Sequence, residues 1–257
     1  MLDEHISHDN FGIMPYINVY DLKIPTYSIF MVLALIAAFI CYKLTAEKID
    51  RGKNSFRSLI IIYALLGGAI GAKLPILIYN YKILFSYPEN INLLISGKTI
   101  VGGLIGGFLA VFLVKRRFKI ELKTGNDIAA PAAFGMAIGR LGCFFGGCCY
   151  GIESPQFLGV DFGDGIYRYP TQIYELIFDL GLFVLFLYLK RTKELRPGVL
   201  FKYLLNAYFI FRFLIEFVRD TETILGISYY QILCSLCLIF INRKHILAVF
   251  NKKQVNA

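Results

Sequence analysis

The sequence contains no tryptophan and only three histidines, His5, His8 and His245. All three histidines lie near the ends of the chain, so no histidine is expected at a site in its central part. Acidic residues are also few, 18 against 27 lysines and arginines. Low-complexity stretches and long polar segments are absent, so residues 1–257 are predicted to form a single polytopic domain without a soluble appendage.

Apolar residues dominate the chain. It is 57% hydrophobic with a mean hydropathy of +0.60, which is too apolar for a soluble domain of this length. A helix that crosses a bilayer needs about 17 to 25 mostly apolar residues, and seven stretches reach or approach that length. They are residues 26–42, 59–79, 99–114, 128–151, 171–189, 199–218 and 229–241. The predicted fold is therefore an all-α integral membrane protein with seven transmembrane helices, in which 17 tyrosines replace tryptophan at the interfaces.

The net charge of +9 is distributed unevenly along the chain. Most lysines and arginines follow the first, third, fifth and seventh apolar stretches, whereas the other connections hold few bases and several acids. Under the positive-inside rule, this alternation places the N-terminus outside and the C-terminus in the cytoplasm. It also accounts for the basic composition without a nucleic-acid partner.

Ionisable side chains inside the predicted helices are candidates for a functional site, because their burial in a membrane is costly. With the orientation above, Lys73, Arg140, Glu175, Arg212 and Glu216 all lie toward the outer half of the membrane. Arg212 and Glu216 are four residues apart on one helix face, so they can pair; a purely structural ion pair is the alternative interpretation. Buried arginines suit a phosphate, because guanidinium groups bind its oxygens bidentately. A phospholipid headgroup is the available phosphate.

Five ordered segments carry a resemblance to a known family. The run GRLGCFFGGCCYG at residues 139–151 resembles the signature of the prolipoprotein diacylglyceryl transferases, G-R-x-G-N-F-x-N-x-E-x-x-G. Cys143, Gly146 and Cys148 replace its two asparagines and its glutamate. The other segments are PTYSIF at 25–30, GAIGAKLPILIYN at 68–80 with VGGLIGG at 101–107, RYPTQIYE at 168–175 and FRFLIEFVR at 211–219.

The resemblance implies an enzyme that transfers the diacylglyceryl group from phosphatidylglycerol to the lipobox cysteine thiol in a prolipoprotein signal peptide. It implies a multi-pass protein of the bacterial cytoplasmic membrane, in contact with membrane lipids, with an active site on the extracytoplasmic side and no cofactor. Arg140 and Arg212 would bind the headgroup phosphate, Glu216 would orient Arg212, and Tyr27 would be catalytic. The other implied substrate-binding residues are Lys73, Gly102, Gly103, Gly142, Cys143, Gly151, Gln172, Tyr174 and Glu175.

The thiol of the acceptor must lose a proton, and the family carries a histidine where this sequence has Val101. Three replacements remain open: Tyr27, Lys98 or a cysteine thiolate.

Three of the six cysteines crowd the signature, and Arg140 beside them would favour thiolates. Cys148 is accordingly a candidate catalytic residue. The trio Cys143, Cys148 and Cys149 would activate the acceptor, carry a transient adduct or form a disulfide. The alternative is a divergent paralogue that uses the trio for thiol-redox or other lipid–thiol chemistry. A zinc site would need all three thiolates plus Glu175 or water, so no metal site is predicted.

Overall fold

A computed structural model describes residues 11–20, 22–47, 51–79, 99–122, 124–221 and 223–255 of the chain. Within these ranges lie seven helices, and each predicted apolar stretch overlaps one of them. The helices are α1 Thr26–Thr45, α2 Arg51–Tyr79, α3 Ile100–Arg117, α4 Gly125–Phe145, α5 Thr171–Thr192, α6 Val199–Ile215 and α7 Tyr229–Val255.

Four of the helices contain a segment long and apolar enough to cross a membrane. These segments are Thr26–Thr45, Ser55–Pro75, Gly125–Phe145 and Thr171–Thr192. Among the remaining helices, α3 ends on three basic residues and α6 has 17 residues, which is the lower limit for a transmembrane span. The chain is a mostly helical membrane protein.

The stretch 128–151 is too long as a helix, because α4 stops at Phe145; the alternative prediction from the sequence, a helix break at Gly146 and Gly147, is confirmed. Gly147 follows with φ +68°, a left-handed conformation that ends a helix and that glycine adopts without strain. The segment before β1 then crosses this end: the amide of Met14 donates to the Phe145 carbonyl at 2.9 Å. A side chain at Gly147 would come within 2.5 Å of the Gly12 Cα atom, so the two backbones touch.

Glycine faces bring two pairs of helices into close contact. In the α2–α3 pair, a Cβ atom on Gly71 would lie 2.4 Å from the Gly102 carbonyl oxygen. In the α1–α4 pair, a Cβ atom on Gly142 would lie 2.7 Å from the Phe30 Cβ atom. Small residues allow membrane helices to approach at this distance. The glycines of α2, α3 and α4 therefore account for the close contact of these two helix pairs.

Helix α6 links two apolar clusters. One joins α4, α5 and α6 through Ala129, Ala133, Leu182, Phe186, Leu200 and Leu204. The other joins α3, α6 and α7 through Val101, Leu205, Tyr208, Phe209, Tyr230 and Cys234. The first cluster holds the start of α6 against α4 and α5, and the second holds its later part, which leads to Arg212, against α3 and α7.

Three small antiparallel hairpins lie in the connections and were not predicted. They are β1 Tyr16–Val19 with β2 Leu22–Pro25, β3 Val160–Asp161 with β4 Tyr167–Arg168, and β5 Thr223–Ile224 with β6 Ile227–Ser228. In the β3–β4 turn, the Asp161 Oδ1 atom accepts hydrogen bonds from three backbone amides, those of Gly163, Asp164 and Gly165. The connection 152–170 is thus a folded element.

Candidate active site

A cluster of charged side chains lies where the C-terminal ends of α4 and α6 meet the N-terminal end of α5. Arg140 is in the last turns of α4, Glu175 in the second turn of α5, and Arg212 in the last turn of α6. The three side chains are at most 4% exposed. Because α5 runs antiparallel to its neighbours, residues far apart in sequence meet at one end of the bundle.

Glu175 is the centre of this cluster. Its carboxylate forms an ion pair with Arg140 and lies 3.5 Å from Arg212 Nη1 and 3.1 Å from Arg219 Nη1. Arg212 Nη2 is also 3.0 Å from Glu216 Oε2, so the pair predicted from the four-residue spacing is confirmed. The Arg212 guanidinium lies over the Tyr230 ring, 4.7 Å from its centroid.

Arg219 was quoted in the FRFLIEFVR segment without a role, and the structure adds it to the cluster. It is 4% exposed, and its backbone forms an isolated antiparallel bridge with Gly151. The signal was present in the sequence: Arg212, Glu216 and Arg219 follow the spacing i, i+4, i+7 that defines one helical face.

Several buried polar atoms of the cluster lack hydrogen bonds to any residue that the structure describes, and two groups stand out. Asp179, one turn beyond Glu175 on α5, is fully buried and neither carboxylate oxygen has such a partner. The Nε atom of Arg140 is buried and equally without an acceptor. Unsatisfied buried polar atoms are costly, so they indicate a place where a ligand completes the structure.

The three signature cysteines form a second group next to the arginines. The Sγ atoms of Cys143, Cys148 and Cys149 all lie within 4.8 Å of one another, and none of the three is in a disulfide. Cys149 has φ +63°, a conformation that non-glycine residues rarely adopt. The turn that carries these thiols is therefore held in a defined, strained shape.

Side chains at the start of α5 fix the backbone of this turn. Gln172 Nε2 donates to the Cys148 carbonyl at 2.7 Å, and Thr171 Oγ1 donates to the Cys149 carbonyl at 2.6 Å. Both side chains are fully buried. Gln172, predicted to bind substrate, thus holds the cysteine turn in the structure.

Tyr27, at the N-terminal end of α1, lies against the same turn. Its Cβ atom would be 3.5 Å from a Cβ atom on Gly146, and its phenol interacts electrostatically with the three thiols and with Arg140. The structure thus brings the predicted catalytic residues of α1, α4 and α6 to one end of the bundle.

Other predicted substrate-binding residues have different surroundings. Gly142 lies in the α1–α4 contact, Gly151 beside Arg219, and Tyr174 is half-buried in the first turn of α5. Gly102 and Gly103 face α2, and Lys73 is half-buried on that helix. The α2–α3 packing gives the predicted roles of these last three residues no support. Lys98 lies outside the described residues.

The position of the family histidine is apolar in this chain. Val101 is 1% exposed and packs in the cluster with Tyr208, Phe209 and Tyr230. Below this cluster, between α3, α6 and α7, is an apolar cavity of about 330 Å³. Leu205 and Phe209 line it, respectively two turns and one turn before Arg212 on the same helix.

A separate polar cluster at the opposite end of the bundle was missed by the sequence analysis. Asp127, in the first turn of α4, accepts a hydrogen bond from Arg57 Nη2 at 2.6 Å and forms an ion pair with Lys190. It also accepts the backbone amide of Glu47 at 3.3 Å. One carboxylate therefore connects α4 with α2, α5 and the end of α1.

The β3–β4 hairpin covers the end of the bundle that holds the cysteine turn. Phe162 is fully buried between Phe11, Phe144 and Tyr150. Arg168 lies over the Tyr150 ring and binds Asp164 through both Nη atoms at 2.7 and 2.8 Å. This hydrogen bonding holds the pKa of the Asp164 carboxyl below its ordinary value.

Comparison with known proteins connects this arrangement to a family. A sequence profile of the family described as prolipoprotein diacylglyceryl transferase matches residues 15–246. The chain is 31% identical over 208 residues to a phosphatidylglycerol–prolipoprotein diacylglyceryl transferase of Clostridium tetani. The matched region is 78% of this chain and 83% of that protein. It is 32% identical over 212 residues to the protein of the same name from Geobacter sulfurreducens, covering 80% and 82%. The chain belongs to the prolipoprotein diacylglyceryl transferase family.

Proposed function

We propose that this chain transfers the diacylglyceryl group of phosphatidylglycerol to the lipobox cysteine thiol in the signal peptide of exported prolipoproteins, at the buried cluster of Arg140, Glu175, Arg212 and Arg219. The observation that carries the proposal is the convergence of three guanidinium groups on the single carboxylate of Glu175, directly behind the family signature. The names of the relatives support the same reaction.

In this proposal, Arg140 and Arg212 bind the phosphate of the lipid headgroup. Each guanidinium has five N–H donors, more than Glu175 and Glu216 can accept, and the buried Nε atom of Arg140 is without an acceptor among the described residues. The carboxylates hold the arginines in converging positions. A charge that develops on the departing phosphate is then stabilised by donors that are already oriented.

The lipid and the membrane topology fit the same end of the bundle. We assign the seven helices as seven transmembrane spans with the N-terminus outside and the C-terminus in the cytoplasm, as the basic connections indicate. The site then opens to the extracytoplasmic side of the cytoplasmic membrane, where the signal peptide emerges. The apolar cavity of about 330 Å³ beneath Arg212 offers room for part of an acyl chain.

A transfer assay with purified protein tests the proposal. The protein in detergent is mixed with phosphatidylglycerol and a lipobox peptide, and mass spectrometry follows the thioether product. Arg140→Ala is expected to lower the rate at least about 100-fold, because it removes a donor to the developing charge. Arg196→Ala, an exposed arginine between α5 and α6, is the matched control and is expected to keep the wild-type rate. A wild-type protein that forms no thioether, or an Arg140→Ala variant at full rate, contradicts the proposal.

A second candidate function is thiol-redox chemistry, which the mutual proximity of the three signature thiols favours. Such a protein would change the oxidation state of a peptide dithiol and would form no thioether. The same mass spectra separate the two functions, because diacylglyceryl transfer adds the mass of the lipid group whereas oxidation of a dithiol removes two hydrogens. Restoration of lipoprotein modification in a bacterial host depleted of its own transferase would favour the transferase.

A further inference from the structure

The three thiols of the cysteine turn are close together, and neighbouring residues also hold the turn in place. The sulfur atoms of Cys143, Cys148 and Cys149 come within 4.8 Å of one another, although two of the residues follow a helix end and one has strained backbone. Gln172 and Thr171 hold the carbonyls of Cys148 and Cys149 from the neighbouring helix. The sulfur positions are thus built by two helices and a turn, and they are not the incidental result of cysteine spacing.

The distances suit a metal ion bound by three thiolates. Zinc–sulfur bonds are about 2.3 Å long, and tetrahedral geometry then puts the sulfurs about 3.8 Å apart. The thiols need only a small inward movement to reach this arrangement. Thiolate ligands favour soft or borderline cations such as zinc over magnesium or calcium.

The charge of the surroundings is compatible with such a complex. Three thiolates and one divalent cation carry a net charge of −1, and the guanidinium of Arg140 interacts electrostatically with Cys143 and Cys149. This interaction compensates the charge of the complex at short range.

The fourth ligand position would be open. Glu175 was expected as one possible fourth ligand, with water as the other, but its carboxylate is engaged by Arg140, Arg212 and Arg219. Sites with three protein ligands and one open position are typical of catalytic zinc, whereas structural zinc sites are closed by four ligands. A substrate atom can occupy such an open position.

We propose that Cys143, Cys148 and Cys149 bind one thiophilic divalent cation of the zinc class, and that the acceptor thiol of the prolipoprotein occupies the fourth position. The second half of this statement rests on the proposed function. A thiol that coordinates zinc loses its proton, here to water. The metal would therefore take the role of the general base, the family histidine, whose position is occupied by Val101.

The reaction then balances without a further reagent. The metal-bound sulfur forms a bond to the glyceryl carbon while the bond from that carbon to the phosphate oxygen breaks, and the electron pair leaves with the phosphate. Arg140 and Arg212 hold this departing group. Glycerol phosphate takes up the proton equivalent that the thiol gave to water, and no atom is oxidised or reduced.

Metal content tests the site independently of activity. The full chain is purified under reducing conditions, loaded with zinc, freed of excess metal and assayed for zinc per protein; cadmium loading is followed by its thiolate charge-transfer absorption. Wild type is expected to hold about one ion per chain. Cys148→Ser and Cys149→Ser are expected to lose binding at least tenfold. Cys41→Ser, a buried cysteine about 20 Å further along α1 from Tyr27, is expected to bind as wild type does.

Two results would overturn the metal site: wild type without stoichiometric zinc or cadmium, or equal binding by the Cys148→Ser and Cys149→Ser variants. Since Cys149 is only half-buried, its serine variant tests the site even if Cys148→Ser fails to fold.

The transfer assay tests the acceptor-thiol position. Removal of zinc with a chelator is expected to abolish thioether formation and addition of zinc to restore it. Full transfer by metal-free protein overturns the acceptor position on the metal and leaves the proposed function intact. Stoichiometric zinc without transfer in any preparation overturns the proposed function and the acceptor position, while the three-thiolate site stands.

Discussion

Glu175 is the residue of the candidate site that pairs with three arginines. It is fully buried and its two oxygens hold Arg140 of α4 together with Arg212 and Arg219 of the segment 211–219. Buried guanidinium groups without a counter-charge are very unfavourable. All three arginines therefore share one carboxylate, and Arg212 has Glu216 as a further partner.

Replacement of Glu175 by glutamine is expected to destabilise the protein by about 3 to 5 kcal/mol, because it keeps the shape but leaves three buried cations with a neutral partner. Glu153→Gln changes an exposed glutamate in the connection after α4 and is expected to have little effect. Thermal unfolding in detergent micelles, followed by far-ultraviolet circular dichroism, measures the difference; the absence of tryptophan limits intrinsic fluorescence. Equal melting of the two variants would show that Glu175 does not hold the arginines.

Tyr27 was predicted to be catalytic and lies beside the thiols and Arg140. Removal of a general base usually costs about 100- to 10,000-fold in rate. Because a metal ion would deprotonate the acceptor thiol by another route, Tyr27→Phe is expected to slow transfer by less than about tenfold. The transfer assay at saturating lipid measures the effect, and a loss of 100-fold or more would make the phenol the base instead of the metal.

At this scale, sequence motifs identified part of the site. Arg140, Arg212 and Glu216 were predicted because an ionisable residue inside an apolar helix is conspicuous. The convergence of the three thiols was not predictable, since it depends on hydrogen bonds from Gln172 and Thr171 on a different helix. Asp127 escaped notice because it stands at a helix start near a basic connection, where an acid looks solvent-exposed.

At the scale of elements, the α2–α3 pair depends on the absence of side chains at four glycines. Cβ atoms on Gly67, Gly71, Gly102 and Gly106 would each come within 2.4 Å of an atom on the facing helix. The helices cannot separate without losing the contacts along the whole pair. Glycine is disfavoured in helix interiors, but at these four positions it allows the two helices to pack closely.

Gly71→Ala is expected to destabilise the protein by about 1 to 3 kcal/mol, because the added methyl group overpacks the helix contact. Gly181→Ala is the matched control: this glycine lies inside α5, a Cβ atom there would meet nothing within 4 Å, and alanine is expected to stabilise by about 0.5 to 1 kcal/mol. Thermal unfolding of both variants gives the sign of each change. Stabilisation by Gly71→Ala would contradict the close packing.

The length of each apolar stretch was enough to predict that a helix exists there, but it predicted the ends of the helices less well. The start of α5 at Thr171 and of α6 at Val199 agree with the predicted stretches. α2 begins at Arg51, eight residues before its apolar stretch, because polar residues continue a helix once it leaves the apolar layer. The small hairpins escaped prediction because two- to four-residue strands have no measurable period.

At the scale of the whole molecule, two polar clusters mark opposite ends of the bundle. Asp127 and Arg140 lie on the same helix, 13 residues apart, so about 20 Å separates them along the axis. The Asp127 cluster includes Arg57 and Lys190 from the basic connections, whereas the Arg140 cluster lies beside the cysteine turn. The charge alternation read from the sequence therefore has a counterpart in the packing. The family and the transferase assignment predicted from the motifs are confirmed by the comparisons.

The assigned orientation predicts which loops a membrane-impermeant maleimide can reach in intact cells. Gln156 is exposed in the connection before α5 and Glu194 is exposed in the connection after it, so the two positions lie on opposite sides of the membrane if α5 is a span. Labelling of Gln156→Cys is expected in intact cells, and labelling of Glu194→Cys only after permeabilisation, each measured against the parent chain with its six native cysteines. The reverse pattern would place the charged cluster and the cysteine turn on the cytoplasmic side, where a translocated lipobox cysteine cannot reach them.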